Sequence, residues 1–181
     1  MALTGIRRIG LPVVAAIAVS AAVAAPAIAT PGLASGVGTY KTWAQAQKAA
    51  KFKLYKPTVT YSLPNVGHVI VSVCEVSGET SKRVVTVSYG NYNTHNLGLS
   101  ENNSGRACGN GNEGTFLANY KIHGIKAQLW GFCDILGAPS CSNAKIELWL
   151  TWKNKGVYYV ASSFNESRAR LVNFASKLKA A

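Results

Sequence analysis

Beyond residue 60, apolar and polar residues mostly alternate with a period of two, the signature of half-buried strands. "VGHVIVSVCEV" (66–76) and "KRVVTVSYG" (82–90) are rich in β-branched residues, and "SGETS" between them predicts a hairpin. "TFLANYKIHG" and "IKAQLWGFCD" read as two further strands meeting at Gly124, followed by "AKIELWLTW" and "VYYVASS". Two stretches carry a helical period instead. Thr42 opens the first, because "TWAQ" has the spacing of a capping box, and Trp43, Ala46, Ala49 and Ala50 recur on one side. The second is predicted to start at a capping box from Ser163 to Glu166. It presents Phe164, Leu171, Phe174, Ala175 and Leu178 on one stripe, with Arg168, Arg170, Lys177 and Lys179 outside it.

Alternation also predicts a register. Pairing Leu129 with Ile146, Ala127 with Leu148 and Ile125 with Leu150 puts all the aliphatic residues on one face. A slip of one residue would mix the two faces. In "WKNKGVY", Gly156 suits a three-residue loop with a bulge, which sets Trp152 against Tyr158 and Leu150 against Val160. The outer face then carries Lys126 beside Trp149 and Trp130 beside Lys145, extended by Phe132 and Tyr159. Residues 91–114 are crowded with Asn and Gly and read as one long loop. With Glu101 and Glu113 as its only acids, that loop lacks the alternating ligands of a calcium site.

The N-terminus changes the picture. Arg7 and Arg8 precede a run of small and apolar residues that ends in Ala27-Ile28-Ala29, the pattern of a cleaved export signal. This divides the chain into a signal peptide (1–29), a small-residue linker (30–41) and one domain (42–181), with no transmembrane span left after cleavage. Four cysteines, Cys74, Cys108, Cys133 and Cys141, follow the signal, and an even count in an oxidising compartment predicts two disulfides. Three pairings are possible. The favoured one closes the "DILGAPS" loop through Cys133 and Cys141 and leaves Cys74 with Cys108. Without any C-x-x-C pair, structural zinc is not expected.

The chain holds 19 basic and 7 acidic residues, a formal charge of +12. Losing Arg7 and Arg8 with the signal leaves 17 basic residues and a charge of +10. Such a domain is attracted to polyanions. No arginine-rich run or aromatic RNA-binding motif is present, so nucleic acid is not the expected partner. His68, His95 and His123 are scattered, there is no G-x-S-x-G elbow, and no metal or other cofactor is expected. A hydrolase would need a pair from Glu75, Glu79, Glu101, Glu113, Asp134, Glu147 and Glu166, and nothing in their spacing selects two. Catalytic residues are therefore not expected. The feature outside the core that stands out is the surface set Lys126, Trp130, Lys145 and Trp149, a combination that can also pack against itself without any ligand.

"LTWKNKGVYYVASSFNESRARLVNFASKL" resembles the end of the bacterial domain of unknown function 4367 family, through Trp152, Gly156, Tyr158, Leu171, Ala175 and Leu178. "AAKFKLYKPTVTYSLP" (49–64) resembles that family's opening, through Phe52, Leu54, Tyr55 and Pro57. The resemblance implies an extracytoplasmic α+β domain with a curved antiparallel sheet, found in bacterial envelope or anti-sigma-like proteins, and implies no catalytic residues. Together these readings predict an α+β domain, with about six antiparallel strands packed against an N-terminal and a C-terminal helix and stapled by two disulfides. The expected function is a secreted, envelope-associated binding domain. Its partner would be an anionic envelope polymer, a lipid or another envelope protein. A cell-wall-binding effector and a hydrolase using isolated carboxylates are the alternatives.

Overall fold

A computed structural model describes residues 36–65, 68–74, 80–108, 114–132 and 147–181. Along the chain the elements are β1 (Gly38–Tyr40), α1 (Trp43–Ala50), β2 (Tyr55–Pro57), β3 (Val69–Val73), β4 (Arg83–Asn91) and β5 (His95–Asn102). They continue with β6 (Thr115–Ile122), β7 (Ile125–Gly131), β8 (Leu148–Asn154), β9 (Val157–Phe164), α2 (Arg168–Ser176) and β10 (Leu178–Ala180). Eight strands form one antiparallel sheet in the order β1-β3-β4-β5-β9-β8-β7-β6, and β10 pairs with β2 in a small second sheet. The α+β class is as expected, but the sheet is larger than the six strands read from the sequence.

Two of the additional strands lie where the sequence was read otherwise. β1 falls inside the stretch taken for a linker and pairs with β3. β5 falls inside the stretch taken for a long loop, yet it joins β4 to β9 at the middle of the sheet. Its composition explains the misreading. Asn96, Gly98, Ser100 and Asn102 occupy the outer face, and only Leu97 and Leu99 mark the inner one. After β5 the chain crosses to the far edge, and β6 to β9 return as a meander whose last strand closes on β5.

Turn chemistry sets the registers. His123 and Gly124 join β6 to β7, and Lys155 and Gly156 join β8 to β9, each pair with positive φ at both residues. That is the type I′ turn, which matches the natural twist of a hairpin. The second turn therefore has two residues and no bulge. It sets Trp152 against Tyr159, not Tyr158, and turns Tyr159 into the core. Between β7 and β8 the pairing is shifted by four residues from expectation: Leu129 faces Leu150, and Trp130 faces Trp149. An even shift preserves the faces, so Ala127, Leu129, Leu148, Leu150 and Trp152 are buried as the alternation requires.

Both helices pack on this inner face. Thr42 caps α1 by accepting from the Gln45 N–H at 3.3 Å, and Ala46 and Ala50 are its buried side. Small side chains let α1 sit close over Val69, Val71 and Val85. The cap of α2 is Ser167, which accepts from the Arg170 N–H at 3.2 Å. Ser163 instead ends its strand on the inner face, so the expected capping box there does not form. Leu171, Phe174 and Ala175 face the sheet, with Phe174 edge-on to Tyr89 at 6.1 Å. Phe164 belongs to β9 and stacks on Tyr92.

Beyond α2 the chain clips back on itself. Leu178 lies opposite Pro57, and the Ala181 N–H donates to the Leu54 carbonyl. A Cys74–Cys108 disulfide, with Cα atoms 5.2 Å apart, ties the end of β3 to the segment after β5. It is the one disulfide among the described residues. The other expected bridge, Cys133–Cys141, lies outside them, as do Lys145 and the expected export signal at 1–29. Among the described residues no helix is long and apolar enough to cross a membrane.

Candidate functional site

The expected surface set is only partly assembled. Trp130 and Trp149 are neighbours across β7 and β8, and Phe116 meets Trp130 edge-on at 5.6 Å. Lys126 is exposed and lies opposite Lys121, away from Trp149. Trp149 is on the outer face, as read from the sequence, but is only 6% exposed. Phe132 packs against it edge-on at 4.9 Å. On another side the backbone of Gly114 runs so close that a Cβ there would lie 2.4 Å from the indole. Burial by local backbone leaves no sign in the alternation of strand residues. Phe116 and Phe132, close to half exposed, form the accessible part of this corner.

A second constellation went unread in the sequence. Trp152 and Tyr159 are paired across β8 and β9, and their rings stack at 5.1 Å with planes 4° apart. Tyr55 from β2 meets Tyr159 edge-on at 6.1 Å. These three rings line a pocket of about 250 Å³. Ile122, His123 and Ile125 close it from the β6–β7 turn, with Asn154 at the end of β8 and Leu178 in β10.

Next to Tyr159, as its partner in the register, is Glu101, which is 1% exposed. It stands where the inner face of β5 would otherwise continue Leu97 and Leu99. Both of its carboxyl oxygens accept from the Tyr55 N–H at 3.0 Å, and they have no other hydrogen-bond donor among the described residues. A carboxylate has about four acceptor sites, so this one is under-satisfied. Burial pushes its pKa up to about 8, against the opposing pull of the Tyr55 N–H. Burial, then the charges of Glu101 and Tyr55, push the Tyr159 hydroxyl up as well. An acid on the apolar phase of "NLGLSEN" is the sequence signal that could have revealed the site.

Two other features bear on chemistry. Glu166, read as a capping residue, is instead buried and bonded to Arg170 at 2.9 Å and His95 at 3.2 Å. Arg170 lies over the Tyr61 ring at 4.9 Å, so this group pins α2 to its surroundings. Around α1, Lys41, Lys48, Lys51 and Lys53 line two shallow depressions whose described lining holds no acidic side chain. Lys53 is also the link to the pocket, its ammonium 5.9 Å from the centre of the Tyr55 ring. Among the described residues no three His, Cys, Asp or Glu side chains come together as a metal site would require. Compared with known proteins, the chain matches no family model, no curated protein and no solved structure.

Proposed function

We propose that this protein is a secreted, envelope-associated binding domain without catalysis, and that the lysine face around α1 holds an anionic, phosphate-bearing envelope polymer. One observation carries the reading: Lys41, Lys48, Lys51 and Lys53 line adjacent depressions with no acidic side chain in their described lining. A cluster of one sign focuses the field of a domain that is already strongly positive, and it raises the local concentration of polyanions. The export pattern at the N-terminus and the family resemblance of residues 148–178 agree with an envelope setting.

Co-sedimentation with purified cell wall is the test. Lys41→Ala, Lys48→Ala, Lys51→Ala and Lys53→Ala together should lower retention at least tenfold and flatten its salt dependence. Replacing Lys121 and Lys126 by Ala should change retention far less. Equal loss in the two variants would reduce the effect to overall charge and overturn the assignment to α1.

The exposed rings of Phe116 and Phe132 favour a second reading, in which the aromatic corner stacks on a cell-wall glycan. Phe116→Ala with Phe132→Ala should then release the protein from wall stripped of phosphate polymer. Unchanged retention would end that reading.

A further inference from the structure

We propose that the pocket between β2, the β6–β7 turn and the β8–β9 hairpin takes an alkylammonium group, with Tyr55, Trp152 and Tyr159 as its aromatic walls and Glu101 as its counter-charge.

The argument begins with what the fold does not need. Leu97 and Leu99 fill the inner face of β5, and a third aliphatic side chain would continue the pattern without penalty. Instead Glu101 is buried with one N–H shared between its two oxygens. Burying an acid so poorly satisfied costs stability, so the position calls for a further positive or donating group. Glu101 is the register partner of Tyr159 and is bonded to the Tyr55 backbone, and both tyrosines line the pocket. Aromatic walls attract cations through the negative faces of their rings, and quaternary ammonium groups are the ligands that such cages recognise.

Size and charge narrow the class. At about 250 Å³ the pocket is smaller than the ~300–1,000 Å³ typical of drug-sized ligands, so it suits a headgroup and not an acyl chain. A bare cation would be repelled by a strongly positive protein. A zwitterion of the phosphocholine kind would not be, because its phosphate can meet Lys53 beside Tyr55 while the ammonium enters.

The groups facing Glu101 are Tyr55 from β2 and Tyr159 from β9, while β4 presents Val85. His123 of the β6–β7 turn lines the same pocket and Lys53 stands beside Tyr55, so His123→Gln is the control for the pH dependence. Neither tyrosine supplies a positive charge, so a seated ammonium would draw the proton off Glu101. Affinity should therefore rise between pH 6 and pH 8, with proton release detectable as a buffer-dependent binding heat.

The experiment is calorimetric titration of the whole protein with phosphocholine, and with 3,3-dimethylbutyl phosphate, which keeps the phosphate and lacks only the ammonium charge. Phosphocholine should bind saturably, and at least tenfold more weakly in Glu101→Gln, in Tyr55→Leu and in Ile125→Trp, which fills the mouth. The Tyr55→Leu variant keeps the backbone N–H and so tests the ring even if Glu101→Gln fails to fold. Binding of 3,3-dimethylbutyl phosphate as tightly as phosphocholine would overturn the ammonium assignment while leaving a ligand pocket. Undiminished binding to Glu101→Gln would remove Glu101 from it. A parallel arm uses phosphatidylcholine vesicles. Binding to these and not to free phosphocholine supports the same chemistry presented by a lipid, and binding to neither overturns the proposal. Lys53 belongs to the lysine face as well, so Lys41→Ala with Lys48→Ala and Lys51→Ala, which spares it, should leave phosphocholine binding unchanged and keeps the two tests apart.

Discussion

Glu101 in the central strand holds the backbone N–H of Tyr55, 46 residues earlier in the chain, at 3.0 Å from each of its carboxyl oxygens. Tyr55 begins the short strand onto which the C-terminus clips. One buried acid thus joins the middle of the sheet to the segment that walls the aromatic pocket, and stability should respond to its charge.

That response has a definite sign. Below about pH 4.5 the Glu101 carboxyl is protonated in the folded and the unfolded chain alike. Between that value and about 8 the unfolded chain ionises it while the fold keeps it neutral, so stability falls as pH rises. The loss should reach on the order of a few kcal/mol by pH 8. Glu101→Gln mimics the neutral acid and should match wild type near pH 5 but melt several degrees higher at pH 8. Parallel Tm profiles for the two proteins across this range would sink the explanation.

The Cys74–Cys108 disulfide closes a separation of 34 residues and should constrain the unfolded chain accordingly. Replacing both residues by Ala should cost about 3–4 kcal/mol in urea denaturation. A cost near zero would mean that the segment after β5 is already confined in the unfolded state.

Phe174 is fully buried against Tyr89, and truncating it leaves a cavity that two layers of rigid structure cannot close. Phe174→Ala should lower stability by about 3–5 kcal/mol, read as a fall in the urea midpoint with an unchanged m value.

Two serines four residues apart should behave oppositely. Ser167 caps α2, so Ser167→Ala should cost about 1 kcal/mol. The Ser163 hydroxyl is buried and has no hydrogen-bond partner among the described residues, so Ser163→Ala should be neutral or stabilising. If the larger loss fell on Ser163→Ala, the start of α2 would be misplaced.

Several features were legible because they depend on neighbours in the chain. The N-cap of α1 needs only Thr42 and Gln45, and the inner faces of β7 and β8 follow from alternation, which survived a four-residue error in register. What was misread depended on distant residues. Lys155-Gly156 is compatible with either a two-residue or a three-residue loop, and packing of Tyr159 onto Trp152 accompanies the shorter one.

The amino-acid sequence by itself determined the class of fold, the inner faces of β7 and β8, and Leu171, Phe174 and Ala175 as the buried side of α2, because these follow from periodicities of two and of 3.6 residues. Only the tertiary structure decided that a polar-looking segment is the central strand, that Trp149 is covered by Gly114 and Phe132, and that Glu101 meets Tyr55 and Tyr159, two residues of the aromatic pocket. Those outcomes depend on which segments meet across dozens of residues, and strand pairing is settled by the combined burial of all its partners, which no local window contains.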